Sequence, residues 1–210
     1  MAAPDLTVDL ALVLAVDCST SIDVADFRLQ MDGLAAALRH PSLARVIAEG
    51  EHRQIAATLV LWSDRWTQHI VLPWTILSND ASLELAARLI GAIERKSQPG
   101  GTGLAAAIDT AALILEQTLP FTADRLSIDV SGDGQDNEGG DAAAARDRAV
   151  ARGIIINGLP ILSGSSTLES YYRTEVIGGP GAFIEPAAEI MSFKDTILRK
   201  LLREIGRPVV

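Results

Sequence analysis

The sequence predicts an α/β fold with a doubly wound, mostly parallel central sheet, helices on both faces and one antiparallel edge strand. Two observations predict it. Apolar runs of strand length alternate with segments of helical spacing, which is typical of a parallel sheet covered on both faces. Two apolar runs, at 55–62 and 66–72, are joined by a turn so short that this pair must be antiparallel.

The elements of the first half follow from apolar spacing and end signals. Residues 8–16 are almost continuously apolar, as in a strand buried on both faces. A helix is predicted over 23–39, with Asp23 and Asp26 in its first turn, where carboxylates are favoured. Pro41 ends this helix. The antiparallel pair follows, and then a helix over 82–93.

The second half continues the alternation. A helix is predicted over 104–115, after a glycine-rich loop at 99–103, and a strand over 125–130 leads into a polar loop at 131–140. A helix over 141–152 stops at Gly153. A strand over 154–159, a helix over 168–176 and a short strand over 182–185 come next. The final helix covers 187–205, and Gly206 and Pro208 close it.

Length and composition limit the function classes. We expect one domain over 1–210, with a core of about 7–205, because the chain has 210 residues. Hydrophobic residues make up 48% and charged residues 21%, which excludes a disordered chain. A net charge of −9 without a basic cluster argues against nucleic-acid binding. The apolar run at 10–16 is too short to span a bilayer, so no membrane insertion is expected.

Polar side chains follow the first predicted strand. Sites in open α/β sheets form beyond the carboxyl ends of the strands, so this loop is a candidate for chemistry. Asp17, Ser19 and Ser21 alternate, and a locally extended chain would point all three side chains the same way. One carboxylate and two hydroxyls suit Mg²⁺, Mn²⁺ or Ca²⁺. The alternative is that Thr20 or Ser21 caps the next helix.

Two more loops place oxygen donors at the same edge of the predicted sheet. Asp133 follows the strand at 125–130, and Thr102 lies in the Gly-Gly-Thr-Gly loop that opens a helix. Alone, Asp133 would be a turn residue, and the glycine-rich loop would be a turn or an anion-binding nest. Three such loops together favour a metal site.

These residues resemble the von Willebrand factor type A domains. Asp17, Ser19, Ser21, Thr102 and Asp133 match, in order, the five positions of that family's metal-ion-dependent adhesion site, called MIDAS. Segments 61–63, 157–161 and 171–183 further resemble an exported bacterial subfamily of unknown function. The resemblance implies a divalent cation, with Mg²⁺ preferred and Mn²⁺ or Ca²⁺ as alternatives. Asp17 and Asp133 would hold it directly or through water, and the three hydroxyls would complete the set.

The resemblance also implies a function. It predicts a non-catalytic, metal-dependent protein-binding module that captures a Glu or Asp carboxylate of a partner protein. It also predicts that this chain is periplasmic or secreted, with a cytoplasmic location as the alternative. Asp136 and Asn137 would tune the site from behind the ligands. A Mg²⁺-dependent phosphohydrolase built on Asp17 is a second hypothesis, but Ser19 stands where a second acid is expected. A metal sensor or carrier is a third, opposed by a modest ligand set.

Other notable side chains receive packing interpretations. Cys18 is predicted to be a buried packing residue. The tryptophans are predicted to pack in the core and at the sheet edge, and the three histidines show no ligand spacing. The basic residues of the last helix are predicted to form its solvated face: Lys194, Arg199, Lys200 and Arg203.

Overall fold

The central sheet has five strands. The computed structural model describes residues 6–95 and 100–206. Within them the strands are β1 (Thr7–Val8), β2 (Ala11–Asp17), β3 (Ile55–Trp62), β4 (Gln68–Leu77), β5 (Thr122–Ala123), β6 (Leu126–Gly132) and β7 (Ile154–Pro160). The central order is β4-β3-β2-β6-β7, and the β3–β4 pair alone is antiparallel in this sheet. The predicted sheet, with its antiparallel edge strand, is confirmed.

Helices cover both faces of this sheet. They are α1 (Val24–Leu38), α2 (Pro41–Ala48), α3 (Asp80–Gly91), α4 (Leu104–Gln117), α5 (Ala142–Val150), α6 (Leu168–Tyr171) and α7 (Phe193–Ile205). One apolar core joins α1, α2, α3 and α7 to one face, and a second core joins α4, α5 and α6 to the other. Among the described residues, no helix is both long and apolar enough to cross a bilayer.

The central strand β2 contributes to both cores. All seven of its residues are buried. Leu12, Leu14 and Val16 face the first core, while Ala11, Val13 and Ala15 face the second. This two-sided burial explains why the segment is continuously apolar instead of alternating.

Asp23 begins α1. Its side chain accepts hydrogen bonds from the backbone N–H groups of Ala25 and Asp26 at 2.7 and 2.9 Å. The alternative interpretation of Thr20 or Ser21 as the cap is therefore wrong, because Asp23 already satisfies the first turn. The hydroxyls of the β2–α1 loop are left to make other contacts.

Several boundaries differ from the prediction near the strand ends. The strand predicted at 8–16 is broken between β1 and β2, where the Asp9 carboxylate accepts hydrogen bonds from the backbone of His52 and Gln54. The predicted edge strand ends at Leu77 instead of residue 72. It passes through Pro73, which an edge strand tolerates. Residues 182–185 form a single parallel bridge, between Gly158 and Ile184, instead of a strand.

Helix boundaries also shift. The segment after Pro41 forms α2, a helix that the apolar spacing did not predict. The helix predicted at 168–176 divides into α6 and a π-helical turn, Tyr172–Val176. The last helix begins at Phe193, after a 3₁₀ turn at Ile190–Ser192, instead of at residue 187.

Lys200 contradicts the prediction of a solvated basic face on α7. Lys194, Arg199 and Arg203 are exposed as predicted, but Lys200 is fully buried. Its Nζ lies 2.7 Å from Asp129 Oδ1 in β6 and 3.0 Å from Glu204 Oε2 in α7. A long-range carboxylate partner, invisible in the local sequence, makes the burial of this ammonium possible.

Candidate metal centre

Four of the five predicted site residues form a connected chain of short contacts at the carboxyl edge of β2 and β6. Asp17 ends β2, and its Oδ1 accepts a hydrogen bond from the Ser19 N–H at 2.7 Å. Ser19 Oγ and Ser21 Oγ lie 3.2 Å apart. Ser21 Oγ in turn donates to Asp133 Oδ1 at 2.6 Å. Neighbouring parallel strands thus bring together groups more than a hundred residues apart in the chain.

Thr102 lies close to this group, next to the loop that carries Asp133. Its Oγ1 lies 3.0 Å from the position that a Cβ on Gly134 would occupy, next to Asp133. Thr102 is 5% exposed, and its N–H donates to Asn137 Oδ1 at 2.7 Å. The structure therefore places all five predicted side chains at one edge of the sheet. Ser21 remains exposed and Asp133 half-buried, so the group is open to solvent.

Asp17 has the most unusual environment in this group. It is fully buried, and its Oδ2 has no hydrogen-bond partner among the described residues. Burial raises the pKa of Asp17 to about 7, and the charge of Asp133 adds to the effect. A buried carboxylate oxygen without a donor is costly, and a cation would remove that cost. The oxygen-only donor set and this unpartnered atom fit a hard divalent cation.

The loops around the site are held by backbone contacts. Thr20 donates from both its N–H and its hydroxyl to the Gly100 carbonyl, at 3.1 and 2.8 Å. Gly103 N–H donates to the Ser63 carbonyl at 2.7 Å, and a Cβ on Gly103 would lie 2.7 Å from the backbone nitrogen of Arg65. The β3–β4 turn therefore packs closely against the Thr102 loop. Pro99, which the sequence prediction included in this loop, lies outside the described residues.

A family model matches residues 7–209 of the chain, under the description "Protein of unknown function (DUF1194)". The chain belongs to this family. Among the curated proteins compared with this DUF1194 chain, none matches.

Solved structures of von Willebrand factor type A domains share its fold. One is proximal thread matrix protein 1 from the mussel byssus, solved with a zinc-occupied MIDAS motif. It is 14% identical to this chain, with a TM-score of 0.65, and the aligned region covers 94% of this chain and 46% of the mussel chain. A von Willebrand factor type A protein from Catenulispora acidiphila is 14% identical with a TM-score of 0.62, covering 95% and 43%. The vWF domain of the type V pili tip protein Mfa5 from Porphyromonas gingivalis is 13% identical with a TM-score of 0.63, covering 98% and 99%.

These likenesses show that the DUF1194 chain has the von Willebrand factor type A fold, as the motif predicts. The chain spans less than half the length of the mussel and Catenulispora proteins, and nearly all of the Mfa5 domain.

Asp136 and Asn137 fix the loop that follows Asp133. Asp136 Oδ2 accepts from the Ala105 N–H at the start of α4, and its Oδ1 accepts from the N–H groups of Glu138 and Gly140. Asn137 exchanges hydrogen bonds with the backbone of Thr102, at 2.7 and 3.0 Å. Both residues therefore position the Thr102 and Asp133 loops relative to each other.

Two residues near the site escaped the sequence prediction, and a third, Trp66, was wrongly predicted. Arg95 donates to the backbone carbonyls of Cys18 and Ser19, at 3.2 and 3.1 Å, and so braces the β2–α1 loop. Tyr172 is fully buried, with its hydroxyl beside Gly132. Trp66, predicted to pack, is instead 85% exposed at the tip of the β3–β4 turn. These roles depend on contacts between distant segments, and no local pattern signals them.

The remaining packing predictions for this region hold. Cys18 is fully buried, with its Sγ 3.2 Å from the Trp62 carbonyl, and Trp62 itself is buried in the core. Trp74 packs edge-on against Phe121, with ring centroids 5.5 Å apart.

A second group of potential metal ligands lies at the other end of the sheet. Ligand atoms of Asp9, His52 and Asp124 lie within 4.8 Å of one another, although the histidines show no ligand spacing in the sequence. His52 Nε2 lies 3.1 Å from Asp124 Oδ2, and both Asp9 oxygens accept backbone hydrogen bonds. These partners account for the three side chains without an ion, in contrast to Asp17.

Proposed function

We propose that this protein is a metal-dependent protein-binding module that does not catalyse a reaction. In this proposal one divalent cation is held by Asp17 and Asp133, directly or through water, and by the hydroxyls of Ser19, Ser21 and Thr102. The observation that carries the proposal is the buried, unpartnered Oδ2 of Asp17 within a cluster made of oxygen donors alone.

Mg²⁺ is the ion that this donor set favours, with Mn²⁺ or Ca²⁺ as alternatives, because carboxylates, hydroxyls and water are hard ligands. The site lacks a thiolate or imidazole among its five members, so preference for zinc is not expected from the ligands. The zinc reported in the MIDAS motif of the mussel protein makes zinc a necessary comparison in any binding experiment.

The ligand of the bound ion is proposed to be a Glu or Asp side chain of a partner protein. Two carboxylates and three neutral hydroxyls leave the cation electrophilic, and the exposed Ser21 and half-buried Asp133 leave it accessible. The net charge of −9 disfavours an acidic partner at long range. A single carboxylate within a neutral or basic patch satisfies both conditions.

Trp66 extends the proposed binding face beyond the ion. The turn that carries it is braced, since the backbone N–H of Trp66 donates to Asp64 Oδ1 at 2.9 Å and the turn packs on Gly103. The indole beside the Thr102 loop is 85% exposed and offers a partner a large contact.

A phosphohydrolase is the second candidate, but the site provides fewer of the groups that such an enzyme needs. The position two residues after Asp17 carries Ser19, whose Oγ contacts Ser21 Oγ at 3.2 Å and supplies no second acid.

A periplasmic or secreted location is proposed from the subfamily resemblance. The presence of a pili tip protein among the similar structures supports this location.

Calorimetry with Mg²⁺ tests the metal centre. The parent should show one site, which Asp17→Ala and Asp133→Ala should weaken at least tenfold. Asp32→Ala, on the exposed surface of α1, and His52→Ala, in the second cluster, are the matched controls and should bind as the parent does. Equal binding by the parent and Asp17→Ala would place the ion elsewhere.

Affinity capture from the native cell extract tests the partner. The same protein is retained in Mg²⁺ and lost in chelator if the ion anchors it. Substitution of one acidic residue of that partner by alanine should abolish capture. A partner that remains bound in chelator would refute the metal-anchored mechanism.

A further inference from the structure

Three buried side chains, each with a polar atom, surround Gly132, next to the candidate metal centre. A Cβ on Gly132 would lie 2.8 Å from Asp17 Oδ2, 3.1 Å from the Tyr172 hydroxyl and 3.1 Å from Cζ2 of the Trp62 indole. Asp17 Oδ2, the Tyr172 hydroxyl and Trp62 Nε1 are all buried without a hydrogen-bond partner among the described residues. Folded proteins satisfy nearly all such atoms, so three in one place call for a common explanation.

The three atoms are chemically complementary. Asp17 Oδ2 accepts hydrogen bonds, the Trp62 indole N–H only donates, and a neutral tyrosine hydroxyl can donate. A tyrosine hydroxyl carries its proton at neutral pH, so it remains a donor here.

Tyr172 is held rigidly in this position. It begins the π-helical turn Tyr172–Val176, and such turns occur frequently at functional sites. A Cβ on Gly158 would lie only 2.7 Å from Cδ1 of the Tyr172 ring, so β7 approaches the ring closely. The ring centroid of Tyr171 lies 6.4 Å away on another side. A ring packed in this way points its hydroxyl toward one place.

We propose that Tyr172, together with Trp62, is a positioning residue of the metal centre that donates toward Asp17 Oδ2 through one buried water. Hydrogen bonds of this kind fix the orientation of a carboxylate that ligates a metal. They would prepare Asp17 to receive the cation. This role rests on the proposed function, because it concerns the same metal centre.

The test compares Tyr172→Phe with Tyr171→Phe, using Mg²⁺ alone as the probe. Tyr171 is the matched control, since it is the adjacent tyrosine and its hydroxyl accepts from the Asp136 N–H at 3.2 Å. Tyr172→Phe should weaken Mg²⁺ binding about tenfold or more, as is typical when a hydrogen-bond partner of a ligand is lost. Tyr171→Phe should change it less than threefold.

A further measurement separates positioning from structure. In the parent, the Trp62 indole N–H resonance should shift when Mg²⁺ is added. A purely structural tyrosine would leave both the Mg²⁺ affinity and this resonance unchanged.

The outcomes distinguish this inference from the proposed function. Parent-like Mg²⁺ affinity in Tyr172→Phe overturns the inference while leaving the Asp17 site intact. A parent that binds no Mg²⁺, or binds it without Asp17, overturns the proposed function and this role with it. If Tyr172→Phe does not fold, an unchanged Trp62 resonance in the parent overturns the inference.

Discussion

Asp17 illustrates how one residue links function to instability. Its Oδ1 is fixed by the Ser19 N–H, whereas its Oδ2 is buried and unpartnered. Ionising such a group in the folded protein is unfavourable, which is why its pKa rises to about 7. A cation would offset this penalty, so the residue that weakens the metal-free protein is the one that we propose as a metal ligand.

Gly132 controls the space beside that oxygen. In Gly132→Ala, the added methyl group would lie 2.8 Å from Asp17 Oδ2 and 3.1 Å from the Tyr172 hydroxyl. We expect Mg²⁺ affinity to fall at least tenfold and stability to fall by about 1–3 kcal/mol, as when a packed core is overfilled. Calorimetry and urea unfolding would measure both quantities.

Gly91→Ala is the control for this substitution. Its nearest neighbour would be the Ala35 Cβ at 3.9 Å, an ordinary contact, so affinity should be unchanged. Full metal affinity in Gly132→Ala would show that the space beside Asp17 Oδ2 does not matter to the ion.

At the scale of elements, a buried polar network joins α7 to the sheet. Lys200 pairs with Asp129 of β6, while Glu204 accepts hydrogen bonds from Ser127 Oγ at 2.5 Å and Asn157 Nδ2 at 2.9 Å. Burial alone would lower the pKa of Lys200, but Asp129 and Glu204 together raise it. Sliding α7 along the sheet would break this ion pair in the core, so the network fixes the helix against β6, the strand that leads to Asp133.

Asp129 makes stability depend on pH. Burial raises its pKa from 3.8 to about 7, and the charge of Lys200 offsets only part of the effect. Between these two values the folded state holds a proton that the unfolded state has lost, so the free energy of unfolding falls as pH rises from about 4 to 7. Asp129→Asn removes this titration and should reduce the slope, by at most about 1.4 kcal/mol per pH unit.

Urea unfolding in chelator at pH 5 and pH 7.5 would check this expectation, since chelator removes the influence of bound metal. Asp147→Asn, whose side chain is 70% exposed, is the control and should keep the parent slope. A slope in Asp129→Asn as steep as the parent's would mean that Asp129 is ionised throughout the range.

At the scale of the whole molecule, what the sequence predicts depends on whether the signal is local. The alternation of apolar runs predicts the sheet and its layers, and the order of Asp17, Thr102 and Asp133 predicts their convergence, because parallel strands end at one edge. The prediction is wrong for Lys200 and Trp66 because it rests on residue type alone: lysine is usually exposed and tryptophan is usually packed. The burial of Lys200 depends on Asp129, and the turn that carries Trp66 lies against Gly103; both partners are distant in sequence.

Metal binding should stabilise the entire fold. The five proposed ligands come from three separate segments that meet in the folded chain, so the unfolded chain offers no comparable site. At a Mg²⁺ concentration one hundred times Kd, the gain is about 2.7 kcal/mol. A domain of this size shifts its Tm by about 2–4 °C per kcal/mol, so Tm should rise by about 5–10 °C.

Differential scanning calorimetry at pH 7.5 would measure this rise, and chelator should reverse it. Asp133→Ala should lose most of the shift, because it removes one of the two carboxylates that offset the ion's charge. His52→Ala should keep all of it, because the second cluster lies at the opposite end of the sheet and its side chains are already satisfied. If His52→Ala lost the Tm shift and Asp133→Ala kept it, the stabilising ion would bind at the second cluster. The proposed site at the carboxyl edge of β2 and β6 would then be wrong.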